Sequence, residues 1–557
     1  MVVLRSFLGV LGLAAVSGAF RTSLTLKDFR EQMVELESKE NHGINTRDVD
    51  PATLYPIHTL QVPIDHFHND SKYEPHSNGT FGLRYWFDPS RYKAGGPIIV
   101  LQGGETSGAD RLPFLQKGIV AHLSEATNGL GVILEHRYYG KSFPVPDLST
   151  ENLRFLTTEQ ALADMAYFAQ HIVFPGLEHL DLTAPKNAYI AYGGSYAGAF
   201  VAFLRKLYPN VYWGAISSSG VTEAIYDYWE YYTAARLYAP KECVEATQKL
   251  TNVIDNILGK DGQASSALAQ RLKAAFGLGN LTRSDDFANS VSWGIAGLQL
   301  TNWDPAENST DFGLYCANIS SETILYPEAA AAPGLKAEVQ SLITAGGYGD
   351  ELEILTPQML NYIGYINRTV VRTCGANQDV CLTNFNSTFY RQDNIKQVWR
   401  AWPYQYCTEW GYLQTGSGIP ADQLPLISRL IDLNYTTVVC REAFNITTPP
   451  NVEIINQYGG FNISYPRLAI IDGEKDPWRA ATPHAIGLPE RESTTSEPFI
   501  LIRDGVHHWD ENGLFSNETT PELPPRPVAE AQSAEAEFVK AWMVEWRKSR
   551  CKRPAKR

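Results

Sequence analysis

The stretch "AYGGSYAGAF" (residues 191–200) sets one serine among small residues, with an apolar run on either side. A nucleophilic serine must be exposed, fixed in rotamer and close to backbone N–H donors. A tight strand-to-helix turn supplies all three but crowds its neighbours, so such an elbow reads G-x-S-x-G. Here the run is Gly193-Gly194-Ser195-Tyr196-Ala197-Gly198, and the fifth position carries one methyl group too many. Taken alone, the run fits a nucleophile elbow and a plain glycine-rich bend equally well.

The flanks favour the elbow. Residues 187–195 read as a buried strand and 196–209 as a helix. Upstream, 97–104 and 131–140 read as strands ending in loops. Residues 157–173 read as a helix, with Leu162, Met165, Ala166, Ala169 and Ile172 at helical spacing. A short strand follows at 214–220. This alternation is that of a mostly parallel sheet with crossover helices, an α/β fold. It breaks near residue 221 and resumes with 467–478 and 498–509, followed by a helix at about 527–548. The stretch between is aromatic-rich, helix-leaning and cysteine-bearing. The expected organisation is an α/β domain in two parts (56–221 and 456–550) around a helical insertion (222–455).

The ends and the composition point to the secretory route. Residues 1–19 have one positive residue, Arg5, an apolar stretch from Phe7 to Val16 and a small-residue Ser17-Gly18-Ala19 end. This is a signal peptide, too short in its apolar part to span a bilayer. Residues 20–55 read as a lead segment or propeptide and 551–557 as a basic, solvated tail. Eleven asparagines lie in N-x-S/T sequons: Asn69, Asn78, Asn280, Asn308, Asn318, Asn367, Asn386, Asn434, Asn445, Asn462 and Asn517. Six of seven cysteines fall between 243 and 440, an even set that reads as about three disulfides in the insertion, with fifteen pairings open. The destination is extracellular or vacuolar/lysosomal. The net charge is -14 with no long run of one sign in the body, which is no nucleic-acid footprint. No C-x-x-C occurs and no cofactor or metal is implied. Homodimerisation is left open.

If Ser195 is a nucleophile, it needs donors, a base and an acid. The Tyr196 N–H opens the following helix, where free N–H groups and the helix dipole favour an oxyanion. The loop "LQGGETSG" (101–108) offers a second donor, at Gly104. Asp476 in "DGEKDPW" and His507 in "DGVHHW" both follow strands at the edge where a parallel sheet carries its ligands. The order serine, acid, histidine is that of the α/β-hydrolases. Asp472, Glu474 and His508 compete for these roles.

Together "EHRYYGKSFP" (135–144), "LRFLTTEQALADMAYF" (153–168), "GGSYAGA" (193–199), "EKDPW" (474–478) and "GVHHWD" (505–510) resemble the prolyl carboxypeptidase and dipeptidyl peptidase II family of serine peptidases, including fungal proline-specific acid endoproteases. The resemblance runs from about residue 62 to the last helix and is patchy through 221–455. It implies an α/β-hydrolase with a helical cap, cleaving next to proline in peptide or protein substrates, often at acidic pH. It places the nucleophile at Ser195, the acid at Asp476 and the base at His507. It puts Trp478 at the wall of a proline pocket, His508 in a supporting role and a Cys407–Cys440 pairing in the cap. The family's arginine after the histidine pair is replaced here by Asn512. Carboxypeptidase, dipeptidyl peptidase and endopeptidase modes stay open. So do an esterase on the same fold and a non-catalytic binding protein on a retired scaffold.

Overall fold

The computed structural model describes residues 50–259, 267–374 and 377–551. The expected signal peptide, nearly all of the lead segment and the tail after Cys551 lie outside these residues.

The centre is an eight-stranded sheet in the order β1-β2-β4-β3-β5-β6-β9-β10. β1 (His58–Pro63) and β2 (Thr80–Asp88) form an antiparallel edge. β3 (Ile98–Gln102), β4 (Leu130–Leu134), β5 (Tyr189–Gly194), β6 (Gly214–Ser218), β9 (Leu468–Gly473) and β10 (Phe499–Ile502) run parallel. This arrangement is the α/β-hydrolase fold. Apolar residues on both faces explain the unbroken strand runs. Ile98 and Val100 face one core, while Ile99 and Leu101 face the other.

Helices cover both faces. α1 (Ile119–Thr127) lies on the second face, and α2 (Thr158–His171) and α3 (Tyr196–Leu207) lie on the first. Thr157 caps α2 by accepting the Gln160 N–H, so the helix starts one residue later than its periodicity suggests. The C-terminal α4 (Arg526–Cys551) returns to the second face with Phe538, Val539 and Trp542. Trp542 packs against β6 so closely that a Cβ on Gly214 would come 2.7 Å from its ring. Emptying such a site to alanine costs on the order of 3–5 kcal/mol.

The chain between β6 and β9 is mostly short helices and forms the cap. β7 (Ile225–Asp227) and β8 (Gly411–Leu413) add a two-stranded parallel ribbon that the sequence pattern did not reveal. Disulfides join Cys243 to Cys316, Cys374 to Cys381 and Cys407 to Cys440. The cap core is continuous with the first face of the sheet. None of the eleven sequon asparagines is buried.

Candidate active site

Five parallel strands, β3, β5, β6, β9 and β10, end along one edge of the sheet. The loops after them carry Gly104, Ser195, Ser219, Asp476 and His507. Chain-distant residues are thereby brought to one place.

Ser195 sits between β5 and α3 with φ 61° and ψ -127°. A non-glycine residue held there stores on the order of 1–3 kcal/mol of strain. Among the described residues, Ser195, Ser219 and His508 are non-glycine residues with positive φ on these loops, and functional sites are where such strain concentrates. The glycines around the turn are obligatory. A Cβ on Gly193 would fall 2.2 Å from Ala197 O, and one on Gly198 would fall 2.7 Å from Ser218 O. The close approach after the serine thus falls on Gly198, so Ala197 is tolerated at the fifth position. Ser195 N donates to Ser218 O at 2.9 Å, tying the turn to the neighbouring strand end.

His507 Nδ1 lies 2.9 Å from Asp476 Oδ2, and both side chains are buried. Asp476 Oδ1 accepts the Trp478 N–H at 2.9 Å, and the Ser219 hydroxyl also bonds this carboxylate. The competing acids are engaged elsewhere. Asp472 Oδ2 pairs with His484 Nδ1 at 2.6 Å, and Glu474 accepts the Asp504 N–H. On the serine side the relay is open: His507 Nε2 is buried without a hydrogen-bond partner, so Ser195 is not bonded to it in this conformation. Such bonds are often long in unliganded enzymes and tighten with substrate.

Burial lowers the pKa of His507; the Asp476 charge opposes this, His508 adds to it, and the net direction is down. Burial raises Asp476, but His507 outweighs it and the carboxyl is held low. The pair therefore keeps a neutral imidazole facing an ionised carboxylate into acid.

The His508 ring lies 4.4 Å from that of His507, centroid to centroid and tilted by 53°, and the His508 backbone N–H donates to Ser219 Oγ at 2.9 Å. Its Nδ1 lies 2.8 Å from Glu511 Oε2, an ion pair outside hydrogen-bond alignment. Burial lowers His508, but Glu511 outweighs it and raises the pKa. A Cβ on Gly194 would come within 3.2 Å of both His508 and Glu511, so this pair abuts the residue before Ser195. Glu511, not residue 512, is the partner of the second histidine; spacing alone did not mark it. Below it, Asp510 accepts from Tyr192 and Ser218 at 2.6 and 2.5 Å and faces the buried Glu535, whose carboxyl its charge raises.

The Tyr196 N–H opens α3, where no carbonyl of its own helix can reach it. Gly104 differs: its N–H is taken by Gln102 Oε1 at 2.5 Å and is not available to an oxyanion in this conformation. Trp478 does not line an open pocket here. It is 2 % exposed, stacked on Tyr228 and edge-on to Tyr231 and Tyr412, with its Nε1 donating to Gln299.

The cap reaches the site from two sides. Gln405 donates to Tyr196 Oη at 2.9 Å and accepts from Tyr139, while Trp402 and Trp410 pack edge-on to the Tyr196 ring. On the other side Trp303 donates to Trp509 O and Trp509 donates to Thr301 O, a reciprocal clasp on the loop of His507. The 299–303 face lacks any chemical signature in the sequence. The 135–140 run is structural: Glu135 pairs with Arg84, His136 bonds Tyr196 Oη at 3.0 Å and Arg137 pairs with Asp164.

Among the described residues, Asp65, His68 and His76 place one ligand atom each within 4.8 Å of one another, and could hold a metal ion. They lie on the loop after β1, apart from the Ser195 loops.

The sheet order and the serine turn define an α/β-hydrolase. The chain belongs to the serine carboxypeptidase S28 family, which it matches over residues 62–523, and is a serine-type peptidase. It is 55% identical over 510 residues to "Probable extracellular serine carboxypeptidase" of Arthroderma benhamiae, covering 91% of this chain and 70% of that protein. "Serine protease vicPb" of Bipolaris victoriae is 29% identical, covering 80% and 82%. Among solved structures, a hyperthermophilic esterase from Pyrobaculum calidifontis is 11% identical with TM-score 0.29, covering 95% of each chain, a likeness too weak to bear on function.

Proposed function

We propose that this chain hydrolyses Pro-Xaa peptide bonds as an exopeptidase in acidic surroundings on the secretory route. Ser195 is the nucleophile, His507 the general base and Asp476 the group that fixes the imidazole. The observation that carries the reading is the buried His507–Asp476 pair on the loops beside the Ser195 elbow.

The steps follow from that geometry. His507 Nε2 takes the Ser195 proton as the hydroxyl oxygen attacks the proline carbonyl carbon. The Tyr196 N–H stabilises the oxyanion at the helix start. Collapse of the tetrahedral intermediate breaks the C–N bond, and His507 returns its proton to the leaving amine. Water then attacks the acyl-enzyme, with the same imidazole as base, and Ser195 is restored. The lowered pKa of His507 supports activity in acid, because a base works only when unprotonated. The extracellular description of the Arthroderma benhamiae relative supports secretion, and His508 and Glu511 are supporting groups.

The test is a set of chromogenic peptides with proline before the scissile bond, blocked at either end, beside a simple ester. Cleavage after proline that needs one free terminus is the expected result. Cleavage of blocked peptides at equal rate would make the enzyme an endopeptidase, and ester hydrolysis without peptide cleavage would contradict the peptide reading.

A further inference from the structure

The mode of an exopeptidase depends on which terminus it holds. In a carboxypeptidase the leaving residue is terminal, and its carboxylate carbon lies two covalent bonds, about 2.5 Å, from the scissile nitrogen. Its anchor must therefore stand beside the nucleophile loop. It must also be a cation with unspent donors.

Resting on the reading above, we propose that Arg111 binds the free α-carboxylate of the substrate and makes the enzyme a carboxypeptidase. Arg111 ends the short turn Gly108–Arg111 in the loop after β3. Its Nε donates to Gly103 O at 3.2 Å, which fixes the plane of the guanidinium. Nη2 comes within 3.9 Å of the point where a Cβ on Gly104 would stand, and that point is 3.7 Å from the Cβ of Ala197, two residues after Ser195. The side chain is half-buried, and among the described residues no hydrogen bond or ion pair engages its Nη atoms. A planar fork with free donors suits a carboxylate, which it can hold by two parallel bonds.

The surrounding charges give this site a pH window. Glu105, Glu307, Glu511 and His508 are the groups whose charges couple to Arg111. Burial pushes Glu105 up to about 7, and burial with Asp304 beside it does the same for Glu307. Glu511 is matched by His508. Asp304 and Asp510 are themselves raised by burial, and Lys117 is paired with Glu518. Below about pH 7 Glu105 and Glu307 are therefore protonated and no longer offset the positive charge of Arg111. A peptide carboxylate, with an ordinary pKa of about 3.3–3.7, is ionised there and attracted. Above that range Glu105 and Glu307 ionise and repel it. The same neutral acids offer no anion to a substrate amine in acid, which counts against an aminodipeptidase.

The experiment compares kcat/KM for an N-blocked peptide ending Pro-Xaa as its free acid and as its amide. Wild type is expected to prefer the acid by at least about tenfold near pH 5, with the preference fading above about pH 7. Arg111→Gln is expected to bring the ratio close to one, chiefly through KM, and Arg111→Lys to restore part of it. Fluorophosphonate labelling of Ser195 in each variant reports that the fold and nucleophile are intact. A variant that labels normally and keeps the acid preference would overturn the proposal. So would a wild type that labels at Ser195 but cleaves acid and amide alike, a result that leaves the triad standing. Absence of labelling in wild type would instead sink the nucleophile reading.

Discussion

The sheet body and the cap bury their aromatic and aliphatic side chains in different ways. The body does it with long periodic elements, two-faced strands and no disulfide among its described residues. The cap does it with short helices, two π-helical turns (Asn367–Val371 and Tyr406–Trp410), a proline inside the helix Leu352–Ile366, and three disulfides. Regular strands end in register, so the body can deliver side chains from distant chain positions to one edge. Irregular packing cannot do that, but it can mould faces. The cap accordingly contributes Gln299, Trp303, Trp402 and Gln405 around the site, while the triad candidates all come from the body.

If this division is correct, the largest loss comes from the body. Asp476→Asn should keep the fold but lower kcat by about 10⁴-fold, because the imidazole is held in the wrong tautomer. Steady-state rates with a Pro-Xaa peptide check this; a loss under tenfold would move the acid role elsewhere. In the cap, replacing Cys243 and Cys316 by alanine frees a loop of 73 residues of sequence separation, and should cost about 4 kcal/mol of cap stability. Calorimetry should then show the cap melting before the body. A single unsplit transition would mean that the shared core couples the two regions more tightly than the staples do.

A smaller effect separates the regions by pH. Glu535 of α4 is raised well above its usual range by burial and then by Asp510, so the folded body keeps it protonated. The unfolded chain releases that proton near pH 4.3, so stability present below that pH is lost as pH rises. Glu535→Gln should therefore flatten the fall in stability as pH rises above about 5, by up to about 1.4 kcal/mol per unit. Cap acids Asp255 and Asp286, pushed by burial to about 6, should leave the remaining slope in place up to that pH. Denaturant midpoints across pH read both parts.

The body was largely legible because periodicity reports burial. Residues 187–195 and 214–220 became β5 and β6 within one or two residues, and the start of 498–509 became β10. The antiparallel edge, β1 and β2, was missed: their neighbours carry no helix between them to mark the alternation. At the site, Ser195, Asp476 and His507 were legible as candidates because chemistry demands their types at strand ends. Ser219 and Glu511 were not, since a serine in a run of three and a glutamate near a histidine carry no distinctive spacing. Gly104 and Trp478 show the converse, where a motif named a residue but the local packing spends its N–H on Gln102 and covers its ring with three tyrosines.

The most direct measurement is to react the folded protein with a fluorophosphonate and map the adduct by peptide mass spectrometry. One phosphonyl group on the peptide carrying Ser195, lost in Ser195→Ala and strongly slowed in His507→Gln, is the predicted outcome. An adduct on another serine, or full labelling without the imidazole of residue 507, would contradict it.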